Sequence, residues 1–206
     1  MLIKNSDLWF SEYYMEDDVK LSLKIGEVLH TEQSPFQKVQ VFKNDTFGVF
    51  LVLDGYTQVT EKDEFVYHDM ISHVPMAVNP EIKNVLIIGG GDGGTAREVS
   101  RYAGIEKIDQ VEIDEAVVRV CEEHMPTLSS VYKTEPRMTL MFCDGLKYVE
   151  EAPDGSYDLI LVDSTDPAGP GESLFSTQFY KDCYRVLTKD GILINQHEGA
   201  FFDGDI

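Results

Sequence analysis

The sequence predicts an α/β protein in which a small antiparallel β-region precedes a larger, mostly parallel sheet. Strand-like segments separated by turn residues fill residues 23–60. From residue 84 onward, apolar strands alternate with amphipathic stretches. The first of these strands runs into a glycine-rich loop, IIGGGDGGTAREV, at residues 87–99. A strand, a glycine loop and a helix in that order indicate a Rossmann-like sheet.

Four segments of the N-terminal region are rich in β-branched and aromatic residues: LKIGEVLH, FQKVQVFK, FGVFLVLDG and YTQVT. Turn-forming pairs such as Asn44-Asp45 and Asp54-Gly55 separate them. We therefore expect a small antiparallel sheet in an N-terminal β-strand domain of residues 1–60. The Rossmann-like catalytic domain is expected to occupy residues 61–206.

A helix is predicted for the segment TEKDEFVYHDMISHVPMA, which precedes the parallel sheet. Thr60 and Asp63 have a capping-type spacing, as at a helix N-terminus. Val66, Met70 and Val74 recur at every fourth residue, which predicts that they form the buried face of this helix.

The strands predicted for the parallel sheet are NVLIIG, KIDQVEID, RMTLMFC, YDLILVD and GILINQ. Ligands of such sheets bind beyond the carboxyl ends of the strands. Every strand but the last brings an acid to that edge, so we expect a ring of carboxylates there: Asp92, Glu112, Asp114, Asp144, Asp163 and Asp166. Doubly wound sheets commonly carry further strands, so C-terminal strands are expected to be missing from this chain.

The composition of the chain disfavours some classes of binding partner. A hydrophobic content of 43% is typical of a globular protein, and the formal net charge of −20 disfavours binding to nucleic acid or to an anionic membrane. The cysteines, Cys121, Cys143 and Cys183, fit neither a disulfide framework nor a metal-knuckle spacing. The N-terminus lacks the apolar core of a signal peptide. These features predict a cytoplasmic protein.

The glycine loop points to a nucleotide or nucleoside ligand. Gly89, Gly91 and Gly94 satisfy the pattern G-x-G-x-x-G, which both NAD-binding and S-adenosylmethionine-binding sheets use. At the end of the next strand, Glu112 can accept hydrogen bonds from both hydroxyls of an adenosine ribose. The loop and the acid together predict an adenosine-containing ligand.

Asp92, inside this loop, discriminates between such ligands. Two unit charges about 4 Å apart interact by roughly 4 kcal/mol at an effective dielectric constant near 20. A carboxylate in the loop therefore repels a pyrophosphate and attracts an ammonium, which predicts an adenosyl ligand with a positively charged tail. Capping of the following helix by Asp92 is the alternative.

A second acidic cluster lies in the segment LVDSTDPAGPGESLF, where Asp163 and Asp166 flank Ser164 and Thr165. Their spacing lets both acids face one cavity, and the prolines that follow stiffen the turn. The cluster predicts a site that binds an amine and removes a proton from it. An Asx-turn or a helix cap is the alternative.

Three further residues are ambiguous when taken alone. Asp144 can accept a hydrogen bond from an adenine amino group, or it can belong to an ordinary turn. Tyr67 and His68 are adjacent on the predicted helix, where they fit either packing or a polar role at the site.

In combination, these motifs resemble those of the polyamine aminopropyltransferases, the spermidine synthases. The similar segments are GGGDGG, VEID, DG at 144–145 and DSTDPAGPGESLF, together with LDGYTQVTEKDEFVYHDM and the early LW. The resemblance covers nearly the whole chain and implies a class I S-adenosylmethionine-binding type of fold. It also implies transfer of the aminopropyl group of decarboxylated S-adenosylmethionine to putrescine or a similar diamine, giving spermidine and methylthioadenosine. No prosthetic group or metal is implied, and the family is oligomeric, commonly dimeric.

The resemblance also implies roles for individual residues. Asp163 is expected to be the general base, Asp166 a partner in diamine binding, and Tyr67 a polar group at the amine. Our own hypothesis is that Tyr67 also supports Asp163 as it receives the proton. The remaining residues are expected to bind substrate. On the donor side, Asp92 binds the aminopropyl ammonium, Glu112 binds the ribose, Asp144 and Gly145 bind the adenine edge, Gln37 contacts the nucleoside, and Pro170 forms a wall of the adenine pocket. On the acceptor side, His68 lies at the amine, and Ser164 and Thr165 lie between the two acids.

Three other functions stay open at this point. A small-molecule methyltransferase uses the same sheet, although Asp92 and the paired acids disfavour it. An NAD(P)-dependent oxidoreductase fits the glycine spacing, but the loop aspartate disfavours a pyrophosphate. A non-catalytic polyamine-binding module is the third. The sequence also leaves the length of the acceptor amine open.

Overall fold

The computed structural model describes residues 8–14, 18–165 and 169–197. Two antiparallel sheets come first in the chain. One is a two-stranded ribbon of β1 (Trp9–Tyr14) and β2 (Val19–Lys24). The other has four strands in the order β3-β4-β5-β6: β3 (Glu27–Gln33), β4 (Lys38–Asn44), β5 (Gly48–Leu53) and β6 (Tyr56–Thr60). The four-stranded sheet confirms the prediction of a small antiparallel sheet before the parallel one.

The ribbon was not predicted, because most of its apolar side chains do not reach a core. Phe10 and Leu23 pack against the four-stranded sheet, whereas Trp9, Tyr13 and Leu21 are about half exposed. The segment LKIGEVLH was predicted as one strand, and this was wrong. It contains the end of β2, a bend at residues 25–26 and the start of β3.

The parallel sheet has five strands in the order β11-β10-β7-β8-β9. Their bounds are β7 (Asn84–Gly89), β8 (Lys107–Glu112), β9 (Met138–Phe142), β10 (Tyr157–Asp163) and β11 (Leu187–Asn195). The helices are α1 (Glu64–Val78), α2 (Gly94–Ser100), α3 (Glu115–His124), α4 (Pro126–Ser129), α5 (Val131–Thr134), α6 (Gly145–Glu151) and α7 (Thr177–Val186), and a 3₁₀ helix covers Gly169–Phe175. The chain winds outward from β7 to β9, then returns to place β10 on the other side of β7. A crevice is expected at such a switch point.

Both faces of the parallel sheet are covered, as its continuous apolar strands predict. Successive side chains of β7 point to opposite faces. Val85 and Ile87 pack beneath α1 and α2, whereas Leu86 and Ile88 pack against α6 and α7. The predicted Rossmann-like α/β class is confirmed.

A separate core joins the four-stranded sheet to α3. Val41 and Leu51 of the sheet pack with Val120, Cys121 and Met125. This contact holds the N-terminal sheet over the carboxyl end of β8, so that it forms one wall of the crevice.

The predicted buried face of α1 was wrong. Val66, Met70 and Val74 are largely exposed, and the buried residues of the helix are His68, Ile71, Ser72, Pro75 and Met76. Because two of these buried residues are polar, the buried face does not stand out as an apolar stripe in the sequence.

Two further features bear on the sequence predictions. All three cysteines are free, with Cys121 and Cys183 buried and Cys143 exposed. Among the described residues, no helix combines the length and the hydropathy needed to cross a membrane.

The two methionines of α1 provide a test of which face is buried. We expect Met76→Ala to lower the free energy of unfolding by about 2–5 kcal/mol, because Met76 packs in the core beneath α1. The same change at the exposed Met70 is the matched control and should alter stability by no more than about 0.5 kcal/mol. Urea unfolding measures both values. Equal losses in the two variants would contradict the observed orientation of α1.

Candidate active site

A cavity of about 880 Å³ lies at the carboxyl ends of β7, β8 and β10, bounded by the N-terminal sheets and α1. Many of the residues predicted for the site line it: Gln37, Tyr67, His68, Asp92, Glu112, Asp144, Gly145, Asp163, Ser164 and Thr165. Asp166 and the side chain of Pro170 lie outside the part of the chain that the structure describes. The fold thus brings together residues as distant in the sequence as Gln37 and Thr165.

The described lining of this cavity is strongly acidic. It contains seven carboxylate side chains but no lysine or arginine: the acids are Glu12, Asp63, Glu64, Asp92, Glu112, Asp144 and Asp163. The described lining has one histidine, His68. Low-dielectric walls concentrate the field of these groups, so the cavity attracts cations and repels phosphates.

The glycine loop brings α1 and the loop aspartate into contact. A Cβ at Gly94 would overlap the ring of His68, so glycine is needed for this close approach. Asp92 Oδ1 accepts a hydrogen bond from the Gly94 backbone N–H at 2.6 Å and lies 3.4 Å from His68 Nε2. The N-cap residue of α2 is Gly93, so Asp92 does not occupy the capping position, but it accepts the first backbone N–H of the helix and also lines the cavity.

His68 is the positive centre of the described lining. Its side chain is buried, and Nδ1 lies 2.6 Å from Glu64 Oε2. Burial alone would lower the pKa of His68, but the hydrogen bond and charge of Asp92, the charge of Asp163 and the bond to Glu64 raise it to about 9. At neutral pH the ring therefore carries a proton on each nitrogen and donates toward both acids.

Asp163, the last residue of β10, has a donor on each carboxylate oxygen. The Tyr67 hydroxyl donates to Oδ1 at 2.7 Å, and the Thr95 hydroxyl donates to Oδ2 at 2.6 Å. Burial and the charge of Asp92 raise the pKa of Asp163 above its usual value, while His68 and the two hydroxyls oppose the rise. The carboxylate is thus a stronger base than an exposed aspartate.

Glu112 ends β8 and is almost fully buried. Its Oε1 accepts the backbone N–H of Asp114 at 2.8 Å. A Cβ at Gly91 would lie 2.9 Å from Glu112 Oε2, so the glycine leaves room for this carboxylate. Burial, the largest influence, and the charge of Asp114 raise the pKa of Glu112 to about 7, against the lowering effect of backbone hydrogen bonds.

Asp114, which was predicted for the same acidic edge, has a different role. Its Oδ1 accepts the Ala116 N–H at the start of α3, and its Oδ2 accepts hydrogen bonds from Ser34 Oγ at 2.7 Å and Gln37 Nε2 at 3.0 Å. It does not belong to the described lining of the cavity. Its effect is indirect, since it fixes Gln37 at the cavity wall.

Asp144 and Gly145 lie where β9 turns into α6. The Asp144 side chain caps α6 by accepting the Leu146 N–H at 2.9 Å. A Cβ at Gly145 would meet Ile88 of the central strand, so only glycine lets the chain pass this close to β7. Asp144 is therefore the N-cap residue of α6 rather than part of an ordinary turn, and it lines the cavity as well.

Several residues that organise the site were not singled out from the sequence. Glu64 bridges His68 and Arg97, whose guanidinium donates to both Glu64 oxygens at 2.9 and 3.1 Å. Gln110 Nε2 donates to the carbonyl oxygens of Gly89 and Gly90 at 2.8 Å each. A glutamine within a buried strand is a signal that a sequence can provide, because buried polar groups need hydrogen-bond partners. No comparable signal marks Glu64.

A cluster of metal-binding residue types lies outside the cavity, formed by Asp69, His73 and Glu98. Glu98 is already paired with Arg97 Nε at 2.9 Å and with Arg101. Its charge is therefore balanced by two guanidinium groups. We interpret the cluster as an ion-pair network between α1 and α2.

The fold and the cavity define an α/β protein of the adenosyl-binding class. The structure is similar to that of a spermidine synthase in complex with the transition state analogue AdoDATO, with a TM-score of 0.92 and 41% identity over 96% of this chain and 67% of that one. It is also similar to the spermidine synthase of Thermotoga maritima, with a TM-score of 0.90 and 40% identity over 96% and 66% of the two chains.

Sequence comparison identifies the family. The spermine/spermidine synthase domain matches residues 64–206, and the spermidine synthase tetramerisation domain matches residues 8–61. The polyamine aminopropyltransferase of Clostridium acetobutylicum is 58% identical over 95% of this chain and 68% of its own length, and that of Clostridioides difficile is 57% identical over 96% and 69%. The chain belongs to the spermidine synthase family, and it spans about two thirds of the length of these relatives. The resemblance inferred from the motifs is confirmed.

The raised pKa of Glu112 makes stability depend on pH. Its pKa is about 7 in the folded protein against a reference value of 4.5, so folding favours the protonated form, and this stabilisation is lost as the pH rises through 7. Glutamine keeps the hydrogen-bond acceptor and does not ionise. We expect the free energy of unfolding of Glu112→Gln, relative to that of the unmodified protein, to increase by about 2 kcal/mol from pH 5.5 to pH 8. Urea unfolding at both pH values measures the change.

The matched control is Glu123→Gln, the same change at a largely exposed position on α3. It should give the same stability difference from the unmodified protein at both pH values. If Glu112→Gln also shows no dependence on pH, Glu112 does not titrate in this range.

Proposed function

We propose that this protein transfers the aminopropyl group of decarboxylated S-adenosylmethionine to putrescine, giving spermidine and methylthioadenosine. The observation that carries the proposal is the cavity itself, with seven carboxylates and no described lysine or arginine in its lining. The donor has a sulfonium and an ammonium, and the acceptor is a diamine, so both substrates are cations. The family membership of the chain agrees with this activity.

The donor is proposed to lie across the carboxyl ends of the parallel strands. Glu112 would accept the ribose hydroxyls, and Asp144 and Gly145 would face the adenine edge. Asp92 would bind the aminopropyl ammonium. This arrangement disfavours S-adenosylmethionine itself, because its tail carries a carboxylate that Asp92 would repel. The same repulsion counts against a methyltransferase.

Catalysis is proposed to be a direct displacement. The amine nitrogen of the acceptor attacks the methylene carbon next to the sulfonium, the carbon–sulfur bond breaks, and its electron pair stays on the sulfur of methylthioadenosine. The amine loses one proton, which Asp163 accepts. Because the sulfonium is already a good leaving group, the protein mainly aligns the two substrates.

The amine must be uncharged when it attacks, and its pKa is far above that of an ordinary aspartate. The raised pKa of Asp163 narrows this gap. Tyr67, which donates to Asp163 Oδ1, lies at the cavity mouth and is proposed to orient the carboxylate toward the amine. The other acids are proposed to hold the distal ammonium, with Asp166, His68, Ser164 and Thr165 around the acceptor. Gln37 and Pro170 are proposed to contact the nucleoside.

Domain boundaries, assembly and location belong to the same proposal. We propose that residues 1–60 and 61–206 are two domains, supported by the end of β6 at Thr60. A homo-oligomer is supported by the match to a tetramerisation domain, which favours an assembly larger than the dimer expected from the resemblance. The free cysteines support a cytoplasmic location.

Product analysis tests the reaction. We expect mass spectrometry to detect spermidine and methylthioadenosine when the protein is given decarboxylated S-adenosylmethionine and putrescine, with other diamines as competitors. Asp163→Asn should lower kcat by about 10²–10⁴-fold, because it removes the proton acceptor. Asp158→Asn, at the opposite end of the same strand, is the matched control and should retain turnover. Unchanged turnover in Asp163→Asn would exclude the base role.

Donor binding tests the role of Asp92. We expect Asp92→Asn to weaken binding of decarboxylated S-adenosylmethionine by at least about tenfold, because the attraction to its ammonium is lost. Methylthioadenosine lacks that ammonium, so its Kd should change by less than about threefold. Isothermal titration calorimetry measures both ligands. An equal loss for the two would mean that Asp92 acts on the loop rather than on the charge.

A further inference from the structure

Thr95 is a fully buried polar residue that the motifs did not single out. It lies in the first turn of α2, directly after the glycine loop, and its side chain is 0% exposed. Its hydroxyl donates to Asp163 Oδ2 at 2.6 Å. A buried hydroxyl that is hydrogen-bonded to the proposed base directly affects the position and the ionisation of its carboxylate.

The two oxygens of Asp163 lie in different surroundings. Oδ2 is enclosed, since it accepts from Thr95 and since a Cβ at Gly90 would lie 2.8 Å from it. Oδ1 accepts from Tyr67, which is more than one-third exposed at the cavity mouth. Only Oδ1 is therefore oriented toward an arriving amine.

We propose that Thr95 is a positioning residue, whose hydroxyl holds Oδ2 of Asp163 in place so that Oδ1 is presented to the acceptor amine in its ionised form. The part of this proposal that concerns the amine rests on the proposed function. The part that concerns the carboxylate does not.

The charges around Asp163 explain why a neutral donor matters. Asp92 from the glycine loop and Glu112 from β8 carry negative charge near it, and His68 from α1 carries positive charge. Tyr67 and Thr95 are the hydroxyls that stabilise the carboxylate form. Burial and the negative neighbours raise the pKa of Asp163, and the Thr95 hydroxyl lowers it. Loss of this hydroxyl therefore raises the pKa of Asp163 further.

The test compares Thr95→Val, which replaces the hydroxyl by a methyl group, with Thr95→Ser, which keeps it. The matched control is Thr188→Val. Thr188 donates to Asp158 at 3.1 Å, at the opposite end of β10 and outside the described lining of the cavity. Carboxyl ¹³C NMR gives the titration midpoint of Asp163, assigned by loss of its signal in Asp163→Asn. The pH profile of kcat/KM gives the kinetic counterpart.

We expect Thr95→Val to move the midpoint of Asp163 to higher pH and to move the acidic limb of kcat/KM in the same direction. On that limb, kcat/KM should fall about tenfold, the usual effect of losing one hydrogen bond to an ionised group. KM for the donor should stay the same, because Thr95 does not line the cavity. Thr95→Ser and Thr188→Val should titrate like the unmodified protein. Thr95→Ala replaces the valine variant if the latter does not fold.

An unchanged Asp163 midpoint in Thr95→Val, or a serine variant that fails to restore it, would overturn the proposal and leave Thr95 a packing residue. The two readouts also separate the proposals. If the unmodified chain forms no aminopropyl product, the proposed function fails, and the NMR titration still decides whether Thr95 controls Asp163.

Discussion

Repulsion between carboxylates that share one cavity is the constraint on which the rest of this site depends. Asp92, Glu112 and Asp163 all lie at the carboxyl edge of one sheet, where water screens their charges poorly. Each is compensated in a different way. Asp92 accepts a backbone N–H and faces His68, and Asp163 accepts two hydroxyls. Glu112 has a pKa of about 7 and is partly protonated at neutral pH. The lining keeps an excess of negative charge, which favours a cationic ligand.

Apart from His68, the described cavity wall contains no positively charged side chain. Arg97 pairs with Glu64, which lines the cavity and in turn contacts His68, so the arginine balances the charge of one lining acid from outside the described lining. A guanidinium placed inside would neutralise the acids permanently and occupy the space of the substrate ammonium. The chain Arg97–Glu64–His68 instead holds His68 beside Asp92 and leaves the other acids available to ligand. The buried His68 imidazole thus links the contact between α1 and α2 to the glycine loop.

The sequence predicted the parallel strands and the acids at their ends for a simple physical reason. A parallel sheet brings the carboxyl ends of its strands to one edge, so the position of Asp163 or Glu112 in a strand determines where it lies in space. The buried face of α1 could not be predicted in the same way. Periodicity selected the apolar stripe with Met70, whereas the observed face includes His68 and Ser72, which a pattern of apolar residues does not mark. The β1–β2 ribbon was not predicted, because its few buried side chains are covered by the four-stranded sheet and not by the ribbon itself.

The contacts that hold the site together are the part least visible in a sequence, because their partners come from other elements. Gln110 is the clearest case. Its amide donates to the carbonyl oxygens of Gly89 and Gly90, and the Gly90 oxygen also accepts the backbone N–H of Gly93 at 2.9 Å. The Gly90 N–H donates to the carbonyl oxygen of Asp163 at 2.7 Å. One short loop therefore connects β8, through Gln110, to the residue proposed as the base. The backbones of Asp92 and Asp163 are consequently held together by this loop, and the hydrogen bonds of each side chain set the final position of its carboxylate.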